Sequence, residues 1–173
     1  NDQVLLMEDN FEELPSGKIS SDGGAHSEYH FTKDLLPFGQ WQIASFYYDK
    51  ASSQAWKVQR HAGEKVIAQT VSYDQKFTHP MLVAGDSLWE NYSVSLDFFA
   101  LDTAQSGLMF RYRNSRCYYF CGVKNQKAIL KMVKHATGFH QPYEKILDEK
   151  EFSYTAGDRI TLKITVKDDQ VVA

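Results

Sequence analysis

The chain has 173 residues and a formal net charge of −3. That is long enough to bury one sizeable core. No basic block or basic helix marks a nucleic-acid binder, and no apolar run approaches the roughly 18 residues of a membrane-spanning helix. Eleven Phe, ten Tyr and three Trp supply flat apolar faces, with a polar edge on Tyr and Trp, suited to β cores and to stacking on sugars.

The opening NDQVLL carries neither an initiator Met nor an apolar signal region, as expected of a processed or trimmed product. An acidic stretch with Asp9 and Glu12 follows, then Leu14-Pro15-Ser16-Gly17 as a turn and a polar loop over 20–24 that includes Asp22. Residues 25–31 (AHSEYHF) and 41–48 have strand character, with a loop over 33–39 broken by Pro37 and Gly39. Residues 55–60 and 66–71 flank His61-Ala62-Gly63-Glu64, a hairpin signal. Residues 77–85 mix loop with a short apolar run.

Residues 93–123 are the most regular part of the chain. Val94, Leu96, Phe98 and Ala100 alternate with Ser93, Ser95, Asp97 and Phe99, the period of a strand with one face on a core. A second run opens at Gly107 and ends at Asn114-Ser115, a turn signal. A third spans residues 117–121. We expect these three runs to lie side by side as an antiparallel meander. Residues 128–134, 145–147 and 159–166 are further strands, with Ala156-Gly157-Asp158 as the turn before the last. Leu35-Leu36 and residues 148–152 offer at most a short helical turn. Residues 166–173 read as a strand end, a tight turn and the start of another strand. The expectation is therefore an all-β, two-sheet antiparallel sandwich forming one domain over residues 1–173. It would belong to a longer polypeptide, its last strands continuing beyond this chain or missing. Cys117 and Cys121 would share a strand face about 13 Å apart, beyond disulfide reach, so they read as free packed thiols.

Several segments carry candidate chemistry. His26, Glu28 and His30 alternate along one predicted strand and would project from one face, as a proton shuttle, sugar contacts or metal ligands. A solvated strand face is the alternative. Residues 138–145 read as a loop dense in sugar-friendly groups: Phe139 and Tyr143 for stacking, His140 and Gln141 for hydrogen bonds. Thr78-His79-Pro80 is similar. Arg111, Arg113 and Lys131 are expected on the face opposite Phe110 and Tyr112. There a guanidinium fork would match a uronate carboxylate, or the cations would form surface ion pairs. Tyr119 joins them as a sugar contact. Trp41, Trp56 and Trp89 read as core or rim.

Asp9-x-Phe11-Glu12, Trp56-Lys57-Val58, residues 88–94 (LWENYSV), residues 106–113 (SGLMFRYR) and Tyr118-Tyr119-Phe120 occur in order. In this order they resemble the concanavalin A-like lectin/glucanase jelly rolls, in particular the laminin-G-like domains of bacterial polysaccharide-degrading proteins. The resemblance covers roughly residues 6–173. It implies a jelly roll, a polysaccharide or oligosaccharide partner, a neighbouring domain, and a secreted, periplasmic or cell-surface location. It also implies one structural Ca²⁺ on hard oxygen ligands, for which Asp9, Glu12 and Asp22 are candidates. The glucanase signature of acidic residues has no counterpart, since Asp97 and Asp102 are accompanied by no Glu. The lyase signatures lack a Glu between Arg111 and Arg113 and a Lys among residues 117–122. A non-catalytic carbohydrate-binding or accessory module is therefore the expected role. The alternatives are a lyase or hydrolase of uronate- or rhamnose-containing glycans, using His26, Glu28, His30, His140 and Arg111, and a protein–protein adhesion domain.

Overall fold

The computed structural model describes residues 4–19, 26–27, 39–45, 55–70, 80–138 and 141–173. Among them the chain is all-β, without helix. It divides into two compact units, residues 1–85 and 86–173, at a position where no boundary is legible in the sequence.

In the first unit, β1 (Gly17–Ile19), β4 (Trp56–His61) and β5 (Glu64–Gln69) form one antiparallel sheet. β2 (His26–Ser27), β3 (Gln42–Ser45) and β6 (Pro80–Val83) form another, in which β2 and β3 run parallel. The predicted hairpin closes on Ala62 and Gly63, both with positive φ, the two-residue turn whose twist suits paired strands. Leu14, Ile19, Ile43 and Val58 are the buried centre, with Phe11, Trp41 and Trp56 packed around them.

The second unit realises the stacked layers. β8 (Ser106–Asn114), β9 (Cys117–Lys124), β10 (Lys127–Gly138) and β11 (Gln141–Glu151) make a four-stranded antiparallel sheet. β7 (Tyr92–Ala100), β12 (Asp158–Lys167) and β13 (Gln170–Val172) make a three-stranded one. Phe110 and Cys121 of the first sheet meet Ile164 and Val166 of the second in one buried cluster, which fixes which faces look inward. Burying one such side chain contributes roughly 1.5–3 kcal/mol. Cys117 and Cys121 are free thiols, and burial pushes the Cys121 thiol above its ordinary range. Among the described residues, no helix is long and apolar enough to cross a membrane.

Three expectations change. The meander does not include β7. That strand pairs with β12 in an unbroken ladder from Tyr92↔Val166 to Ala100↔Asp158, while β8 pairs with β9. Alternation identifies a strand and its inward face, but it does not name the partner. Residues 148–152 are not helical, because Asp148 to Glu151 continue β11 opposite Leu130 to Lys127. The loop expected over 138–145 is largely strand: Gly138 pairs with Gln141, and Lys134 with Tyr143. The expected strand–turn–strand after Val166 forms as drawn, with Lys167 opposite Gln170.

Two glycines set how closely β8 and β9 approach. Gly107 and Gly122 are cross-strand partners. A Cβ on Gly122 would collide with the Ser106 carbonyl and lie 2.7 Å from the Phe120 ring edge. The ring thus lies over the bare backbone pair.

Candidate functional site

The site grows from an irregularity in β8. Phe110 pairs with Tyr119 and Asn114 with Cys117, so Arg111, Tyr112 and Arg113 face the single residue Tyr118. Arg111 takes up the excess with φ at 48°, a left-handed conformation that is uncommon outside glycine. Bulges of this kind re-aim side chains. Here Phe110 stacks on Tyr119 at 5.5 Å, in the core, whereas Tyr112 packs against Tyr118 at 6.1 Å. Tyr118 and Tyr119 are neighbours in a strand and point to opposite faces. Phe110 and Tyr112 therefore do not share a face.

The same bulge separates the predicted cations. Arg111 lines an open cleft of about 300 Å³ together with Tyr119, Leu130, Leu147, Asp169 and Val171. Its backbone N–H donates to the Tyr92 hydroxyl at 3.0 Å. Its guanidinium donates to the carbonyl of Asp168, in the β12–β13 turn. Asn91 holds the same turn twice, accepting from the Asp168 N–H at 2.7 Å and donating to its carboxylate at 3.4 Å. The turn that presents Asp169 is thus tied to β8 and to Asn91, the residue just before β7.

Lys131 lies elsewhere. It is opposite Phe120 in the ladder, with its ammonium 5.5 Å from that ring's centre, and so leaves the sheet on the face away from Tyr119. It is 3% exposed and donates to Glu144 at 3.1 Å. Burial pushes the ammonium below the ordinary lysine range, against the pull of Glu144. Burial also raises the Tyr112 and Tyr118 hydroxyls well above the usual tyrosine range, Tyr118 further through the charge of Glu144. Neither tyrosine is a ready base. Arg113 is exposed and Lys131 is buried. Tyr143 is 47% exposed, with the Lys134 ammonium 4.9 Å from its ring centre.

The other candidates fall into two groups. Asp9 and Glu12 are placed, with both Asp9 carboxylate oxygens and one of Glu12 engaged. Asp9 accepts from the Phe11 N–H at 2.7 Å and from the Trp41 indole at 2.8 Å, and Glu12 pairs with Arg60 at 3.3 Å. Calcium wants six to eight oxygens turned to one centre, and Asp22, the third candidate, lies outside the described residues. Among the described residues, no three His, Cys, Asp or Glu side chains gather as metal ligands. Asp22, Glu28, His30, Leu35, Leu36, His79, Phe139 and His140 lie outside the described residues, and His26 and Gln141 are described by backbone alone.

Nothing in the sequence marks Asn91, Tyr92, Asp168 or Asp169 as site residues. Asp168-Asp169 is visible in the sequence only as a turn; that this turn returns to Arg111 depends on β12 crossing to β7. No protein-family model matches the chain, and no curated protein or solved structure matches it either.

Proposed function

We propose that this chain is a non-catalytic carbohydrate-binding or accessory module of a secreted glycan-degrading protein, built on the jelly-roll plan its strand motifs resemble. One observation carries the reading. Arg111 and Tyr119, both expected sugar contacts from their sequence context, line one open cleft with apolar walls and an acidic residue on it. Ligand sites are typically apolar clefts with a few well-placed polar groups. A sugar ring offers C–H faces to Tyr119, Leu130, Leu147 and Val171, and hydroxyls to Arg111 and Asp169. The neighbouring domain of the parent protein would be what the module positions. A glycan array tests this. The expected outcome is retention of oligosaccharides without product release, abolished in Arg111→Gly, which keeps the left-handed backbone. Release of shortened or unsaturated products would instead support the lyase or hydrolase reading.

A second reading, protein–protein adhesion, is favoured by β11. It is the edge of its sheet among the described residues, and every residue from Tyr143 to Glu151 is exposed, Ile146 and Leu147 included. Such edges invite strand addition. Co-sedimentation with a protein partner and an empty glycan array would move the assignment there.

A further inference from the structure

We infer that the cleft selects an uncharged sugar ring, and that Asp169 is the residue that turns uronates away. The inference rests on the carbohydrate-binding reading and names the ligand class for that site. A uronate would need a surplus of positive charge, and the predicted cations Arg111 and Lys131 do not share a face. Lys131 leaves the sheet on the opposite face, buried against Glu144. Among the described residues Arg111 is the one cation lining the cleft, and one of its donors is spent on the Asp168 carbonyl. Asp169 lines the same cleft, on a turn held by Asn91 and Arg111.

The hydrogen-bonding inventory points the same way. A carboxylate on Asp169 only accepts, and a guanidinium on Arg111 only donates. A ligand bridging them must donate at one end and accept at the other. A pair of sugar hydroxyls does both, whereas a uronate carboxylate offers acceptors alone and meets a like charge at Asp169. The remaining lining, Leu130, Leu147, Val171 and the Tyr119 ring, suits the C–H face of a pyranose. The volume, about 300 Å³, is at the low end for small-molecule sites. That favours a single ring, such as a chain terminus, over an extended strand of polysaccharide.

The test is calorimetry on the whole chain with two oligosaccharide sets of equal length, one neutral and one built of uronates. The wild type is expected to bind a neutral set member and to bind its uronate counterpart about five- to tenfold more weakly, the scale of one like-charge contact near the surface. Asp169→Asn removes the charge without changing the shape. It is expected to bring the two sets within about twofold of each other, with thermal melting checking that it folds. Uronates bound as tightly as neutral sugars by the wild type, or a ratio unmoved in Asp169→Asn, would overturn the inference while leaving the cleft a sugar site. Binding of neither set by either protein would remove the carbohydrate reading and this inference together.

Discussion

Two cations leave the same four-stranded sheet from opposite faces, and they live differently. Arg111 sits in a left-handed bulge beside an open cleft, tethered by its backbone N–H to the Tyr92 hydroxyl and by its guanidinium to the Asp168 carbonyl. Lys131 sits in a regular ladder, over a phenyl ring, with a carboxylate for a partner and almost no contact with solvent. The first geometry costs backbone strain and keeps a charged group available. The second costs desolvation and holds a charge in place. One cation is left open at a cleft and the other is spent on the fold, and each half of that contrast can be broken by mutation.

The largest effect is expected beneath Lys131. Gly122→Ala would drive a methyl into the Ser106 carbonyl and the Phe120 ring. We expect a loss of about 3 kcal/mol in urea unfolding, the upper end for overpacking. A loss below about 1 kcal/mol would mean that β8 and β9 can part at this point.

Next is the ion pair itself. Removing one partner of a buried pair costs about 3–5 kcal/mol, but the Glu144 side chain is 37% exposed, so solvent screens much of that. Glu144→Ala is expected to cost about 2 kcal/mol. Lys131→Met combined with Glu144→Leu should recover most of it, because the desolvation penalty goes with the charges. If the double variant is no better than Glu144→Ala, the pair is more than a repaired burial.

The same lysine predicts a pH dependence. Its folded pKa is held below the ordinary value by burial, while the unfolded chain titrates near the ordinary value of about 10.4. Between these two values the unfolded chain carries the extra proton, so raising the pH favours the folded state. Relative to Lys131→Met, the wild type should gain stability as pH rises through that window. The raised Tyr112 and Tyr118 hydroxyls act in the opposite sense near pH 10 and largely cancel in the difference. Parallel curves for the two proteins would contradict the buried placement.

The smallest stability effect is expected at Arg111. Glycine adopts its φ freely, and relief of strain offsets the lost bond to the Asp168 carbonyl. Arg111→Gly should therefore shift stability by less than about 1 kcal/mol, although it strips the cleft of its cation.

The β character, the central parts of β4, β5, β7 to β10 and β12, and the hairpin at Ala62-Gly63 were legible because alternation and turn chemistry are local. The pairing of β7 with β12 was not, since the paired residues lie 58 to 74 positions apart along the chain and the next strand competes as a neighbour. The site was half legible. Arg111 and Tyr119 were visible as residue types that suit sugars. Their separation from Lys131 was hidden, because the period of two was carried straight through a bulge that places three residues opposite one. The acidic side of the cleft comes from a turn whose approach to β8 depends on long-range topology.

Titration of the ¹⁵N-labelled chain with a neutral oligosaccharide, followed by backbone amide shifts, bears most directly on the cleft. The account predicts perturbations clustered at Arg111, Tyr119, Leu147, Asp169 and Val171, with Lys131 and Phe120 unmoved. Shifts centred on the Lys131 face, or no shifts at saturating glycan, would contradict it.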